Sequence, residues 1–153
     1  MKNIRQSTFE TNSSSVHSLI VSCKNKDNWK INDILLDNNG VIHVKCDDFS
    51  YTGRVCGQYE KLKYLCSYLA CDRQYNSTDD FSADNDWQLK NVLDAIRKYD
   101  DRVKNIVVTD TVCAEFDHQT HPSNASCCVN LYSDEAVSSF IFNDEIMIEM
   151  GRD

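Results

Sequence analysis

Ile31-Asn32-Asp33-Ile34-Leu35-Leu36-Asp37-Asn38-Asn39-Gly40-Val41-Ile42-His43-Val44-Lys45-Cys46 is the stretch on which the fold turns. Asn39-Gly40 sits between two β-prone runs. An Asn-Gly pair takes the positive φ that a tight turn demands, so it predicts a hairpin with arms 31–37 and 41–46. On the second arm Val41, Ile42 and Val44 are strand formers, and His43 alternates to the face opposite Ile42 and Val44. Strands come before this hairpin, helices after it, and strands again at the end. That order argues for an α+β chain rather than regular βαβ repetition.

Upstream, residues 3–8 read as a short edge strand and 11–15 as a structured loop, because short polar side chains compete for backbone groups. Val16 to Cys23 reads as a central strand, since Leu19-Ile20-Val21 suggests burial on both faces. Downstream, 47–57 is loop. A helix over 60–71 carries Leu62, Leu65, Cys66 and Leu69 as its buried stripe, with Lys61 and Lys63 facing water. Residues 72–86 form a polar surface loop. A second helix over 84–99 has Trp87, Val92, Leu93, Ile96 and Tyr99 as its apolar side and Asp86 or Asn85 as its cap. Ile106-Val107-Val108 marks a buried strand, with 111–116 pairing with it or continuing it, and 127–132 a short strand. Ser133-Asp134-Glu135 opens a helix to Phe140 as N-cap and first-turn acids. Residues 145–150 alternate as a half-exposed strand. The expected architecture is a single α+β domain over 1–153, a mostly antiparallel sheet packed against two main helices, about 60–71 and 84–99.

Composition narrows the setting. At 153 residues the chain can bury a real core as one domain. It has no run of about eighteen apolar residues to cross a membrane. No apolar segment follows the charged opening residues as in a secretory signal, so a cytoplasmic location is expected. Its eight cysteines then read as small buried hydrophobes rather than a disulfide framework. The net charge of −8 is unevenly spread: residues 1–104 balance 15 bases with 15 acids, whereas 105–153 hold nine acids and only Arg152. Phosphate contacts need the opposite sign, so direct nucleic-acid binding is not expected. An acidic segment suits a basic protein surface; the plainer account is a solvated, solubilising surface.

Chemistry can sit in three places. Ser13-Ser14-Ser15-Val16-His17-Ser18 concentrates hydroxyls beside an imidazole. His17 and Ser15 share a strand face, which permits a base–hydroxyl contact. No glycine-rich oxyanion loop accompanies them, so a hydrogen-bonded clasp is favoured over a serine nucleophile. If the chain is an enzyme, its site is Arg5, Ser15, His17 and His118, with Ser13 nearby. Second, Cys113, Asp117, His118, His121, Cys127 and Cys128 lie close in sequence. Cys113, His118, His121 and Cys127 would be the four ligands of a tetrahedral zinc site. Their spacing matches no standard finger, and buried thiols are the favoured account. Third, Asp144, Glu145 and Glu149, or Asp79, Asp80 and Asp84, cluster without the glycine of a calcium loop. No cofactor is expected.

Arg5-Gln6-Ser7-Thr8-Phe9-Glu10-Thr11-Asn12-Ser13-Ser14-Ser15-Val16-His17-Ser18 resembles the opening of an uncharacterised family of small bacteriophage and prophage proteins, whose members begin R-x-S-x-F-E-T-N-S-S-S-x-H-S. Asp117-His118-Gln119, Phe140-Ile141-Phe142-Asn143 and the helix around Glu60-Lys61-Leu62 are similar as well; Thr120 departs, standing where the family more often has Ser. The resemblance implies a setting and not a mechanism. It suggests that His17 and His118 share a site, joined by pairing of the N-terminal and late strands. In that setting the leading expectation is a phage-encoded inhibitor of a host defence system, such as a CRISPR effector or another nuclease complex. It would bind a basic surface through Asp134, Glu135, Asp144, Glu145 and Glu149. The alternatives are a small enzyme acting on a nucleotide or nucleotide-derived signal, and a phage accessory protein without activity.

Overall fold

The structure is a computed structural model that describes residues 4–10, 15–21, 28–49, 53–73, 79–113 and 129–152; for 4–10, 15–21, 113 and 150–152 only the backbone is described. Its strands are β1 (Ile4–Glu10), β2 (Ser15–Val21), β3 (Val41–Lys45), β4 (Gly53–Val55), β5 (Phe81–Ser82), β6 (Asn105–Thr109) and β7 (Met147–Arg152). Its helices are α1 (Gln58–Arg73), α2 (Trp87–Arg97) and α3 (Asp134–Phe142). The class is α+β.

Two sheets divide the strands. The first runs β1-β2-β7-β4, antiparallel throughout, with β2 held between β1 and β7. The second runs β3-β6-β5, with β3 parallel and β5 antiparallel to β6. The β3–β6 pair decides the fold, and it differs from the expected hairpin. The Asn-Gly turn does form: Gly40 has φ +76, and the Asp37 carboxylate accepts from the Asn39 and Val41 amides at 2.8 and 2.9 Å. The first arm, however, is not a strand. Asn32 accepts the Ile34 amide and starts a single 3-10 turn over Asp33–Leu35, leaving one bridge, Leu36 to Ile42. β3 therefore takes β6 as its ladder partner. Parallel strands need a long crossover, and residues 46–104 supply one, containing β4, α1, β5 and α2.

Two more short strands lie inside segments expected as loop, β4 and β5; Phe81 of β5 is buried. Residues 111–113 coil into a 3-10 turn after Asp110, whose φ is +56, and 129–132 form a turn closed by the Ser133 amide on the Asn130 carbonyl. The caps follow the sequence: Asp86 accepts from Leu89 at 2.7 Å and Ser133 from Ala136 at 3.2 Å.

One buried cluster joins both sheets to the helices through Ile42, Val44, Val55, Ile106, Val108 and Ile148, packed with Leu65, Leu69, Leu89, Val92, Ile96 and Phe140. α1 is buried on nearly every side, not along one stripe, and this overturns one expectation: Lys61 is fully buried rather than solvated. Trp87 departs in the other direction. It stands 59% exposed at the first turn of α2, outside the apolar side formed by Leu89, Val92, Leu93 and Ile96.

Candidate functional site

The opening motif places its strand in the middle of the first sheet. Phe9 of β1 and Met150 of β7 are the register partners of His17, and Arg152 is that of Ser15. Arg5 pairs with Ile20, four residues along β1 from the position opposite His17. At about 3.3 Å per residue that is roughly 13 Å of strand. The two parts of the proposed Ser–His–Arg set thus stand at separated places on one hairpin. Ser13, Ser14, His118, His121 and Cys127 lie outside the described residues, and so does the expected meeting of His17 with His118. Of the four zinc candidates, Cys113 alone has a described backbone, at the end of the 111–113 turn. Among the described residues, no group of three or more His, Cys, Asp or Glu side chains could hold a metal ion.

The five acidic candidates fall into two groups around α3. Asp134 and Glu135 occupy its first turn, where carboxylates complement the unpaired amides of the helix start. Asp144 and Glu145 follow its last turn, and Glu149 lies on β7. None is buried. Several are bound within the chain: Asp134 to Lys98 of α2, and Glu149 to Arg54 of β4 at 3.0 Å. Lys98 keeps its proton more tightly because of the Asp134 hydrogen bond. These carboxylates therefore brace elements as well as carry surface charge.

Sequence reading missed the chemistry at the start of α1. Two clefts, about 300 and 510 Å³, meet there and share Lys30, Gln58 and Asp144. The Gln58 amide fixes the neighbouring loop, donating to the Lys30 carbonyl and accepting from the Asn32 amide, both at 2.7 Å. Cys56 contributes an exposed free thiol to the larger cleft. Beneath, Lys61 Nζ donates to the Asn143 carbonyl at 2.8 Å and lies 5.7 Å from the Phe140 ring centre. Burial pushes its amine down to about 8, opposed by the fields of Asp144 and Cys56. A signal for this existed: Lys61 sits three and four residues before Tyr64 and Leu65, both core residues.

A second missed group is a clasp. Asp100, 3% exposed, accepts from the Ile31 amide at 2.9 Å and from Arg102 Nε and Nη2 at 2.8 and 2.7 Å. Arg102 also reaches the Asp33 carboxylate and the Ile31 carbonyl. The Arg102 bonds, aided by the Ile31 and Arg102 amides, hold the Asp100 carboxyl down at about 2 against its burial. Both carboxylate oxygens of buried Asp100 are met within the chain, by the Ile31 amide and by Arg102, which marks the clasp as structural.

The third is an exposed aromatic pair. Trp87 and Tyr132 are 59% and 73% exposed, and their rings meet at 5.8 Å with a 35° tilt. Tyr132 stands two residues before Asp134, so the pair adjoins the acidic start of α3. Comparison with family models, with curated proteins and with solved structures returned no match to the chain.

Proposed function

We propose that this chain is a binding protein that inhibits a host defence nuclease complex, acting in the cytoplasm of an infected bacterium and engaging a basic surface of its target. The observation that carries the reading is the placement of the acidic surplus. Among the described residues of the last third, Asp110, Glu135 and Asp144 are exposed, and Asp134, Glu145 and Glu149 are half-buried. Carboxylates kept at the surface, with one base in the whole segment, attract a cationic partner and raise its encounter rate. The resemblance of the opening motif to phage and prophage proteins supports the biological setting. The clasp at Asp100 and the central position of β2 support a rigid scaffold. Rigid interface backbones are common in inhibitor complexes.

The test is salt-dependent association with purified defence nuclease complexes, CRISPR effectors first. The variant combines Glu135→Lys, Asp144→Lys and Glu145→Lys with Asp134→Asn; the last avoids setting a second cation against Lys98. Binding is expected to weaken steeply between low and physiological salt and to vanish in the variant while the fold persists. Association indifferent to both salt and charge reversal would refute the reading.

A further inference from the structure

We propose that the Trp87–Tyr132 pair and its flanking carboxylates form a docking surface for an arginine-bearing segment of a basic protein. The proposal rests on the acidic-surface reading and gives that surface a centre and a partner chemistry.

Two large rings left in water are costly, since each keeps most of its apolar area hydrated. Here they touch one another, yet both remain largely open. Trp and Tyr are the residues that most often anchor protein interfaces, because they offer large rigid contact area at low entropic cost. Their meeting also joins two acidic segments distant in sequence. One is Asp79-Asp80-Phe81-Ser82-Ala83-Asp84-Asn85-Asp86, with four acids and no base; the other is Asp134-Glu135. Asp79, Asp80, Asp84 and Glu135 are all exposed. Among the described residues, Arg73 is paired with Asp86, Lys90 with Asp94 and Lys98 with Asp134, while Arg97 stands exposed at the far end of α2. The surplus charge around the rings is therefore negative.

That combination selects arginine. A guanidinium lies flat on an indole face while its edge N–H groups still reach carboxylates at the ring's margin. A lysine ammonium is a point charge that keeps its water and gains less from the ring. Nucleic acid also stacks on aromatic rings, but its phosphates would face these carboxylates. The competing role for the pair is a staple fixing the 129–132 turn to the start of α2, which predicts lost stability and unchanged binding when a ring is removed.

The experiment uses the full chain with nona-arginine and nona-lysine peptides as probes, followed by calorimetry and tryptophan fluorescence, with thermal melting of every variant. The expected result is tighter binding of the arginine peptide, with Trp87→Ala and Tyr132→Ala each weakening it by about 3–10-fold. Trp87→Phe should fall between, and the lysine peptide should respond little to any of them. Because Trp87 begins a helix, Tyr132→Ala and Trp87→Phe keep the test valid if Trp87→Ala melts early. Equal affinity for the two peptides, or ring variants that bind arginine as the parent does, would overturn the proposal. If Asp134→Asn with Glu135→Gln still weakens both peptides, the acidic-surface reading survives that failure. If no variant changes peptide binding, both fall.

Discussion

A buried ammonium is costly unless its donors are met, and Lys61 offers three N–H groups to one carbonyl and one ring. Its amine is held at about 8, against 10.5 when unfolded. Below pH 8 both states carry the proton and the native state bears the full burial cost. Between pH 8 and about 10.5 the native state sheds the proton first, the unfolded state binds more, and stability rises with pH. The expected gain is roughly 2–3 kcal/mol, measured as the difference from Lys61→Met in urea unfolding across that range. Lys61→Met should be as stable as the parent, or more so, at pH 7. Asp100 sets the opposite limb. Its contribution is complete above about 3.8 and lost as pH falls toward 2. Asp100→Asn should cost about 2–3 kcal/mol at pH 7, read by the same unfolding curves, and should flatten that acid limb.

At the scale of elements, Gly40 is where the turn and the crossover meet. Its carbonyl accepts the Lys104 amide at 2.7 Å, and a Cβ there would stand 2.3 Å from the Arg102 carbonyl oxygen. Gly40→Ala combines left-handed strain with that clash and should cost at least about 2 kcal/mol. Gly57, at φ +82 with open space around it, isolates the strain alone; Gly57→Ala should cost only about 1–2 kcal/mol. Thermal melting of the two variants separates the effects. The same turn shows what sequence can and cannot carry. Alternation in Val41–Lys45, burial in Ile106-Val107-Val108, and the caps at Asp86 and Ser133 were legible because they are local patterns. The parallel pairing of β3 with β6 was not, because Asn-Gly specifies a turn and is silent about what lies across the sheet. Asn32, a helix-starting residue, outweighed the β-prone Ile34-Leu35-Leu36 run. Lys61 and Trp87 were misassigned for a related reason: a helical wheel says which residues share a face, while burial depends on what packs over it. For the candidate site, the acidic start of α3 was legible from Ser133-Asp134-Glu135, whereas its aromatic neighbour was hidden in two unconnected segments.

At the scale of the whole molecule, β7 is the keystone of the first sheet, inserted between β2 and β4. A chain ending at residue 146 would keep the β1–β2 hairpin but leave one long edge of β2 unpaired. Open edges template pairing with other chains, so this truncation should form concentration-dependent oligomers in sedimentation, where the full chain shows fewer or none. The order of synthesis gives that geometry a temporal side. β2 leaves the ribosome about 125 residues before β7, which at ~5–20 residues per second is an interval of roughly 6–25 s. During that time the segment bearing the Ser-rich opening motif has its eventual neighbour on one side only. In a cell translating many copies at once, this is the window in which a nascent chain is open to a chaperone or to a sister chain.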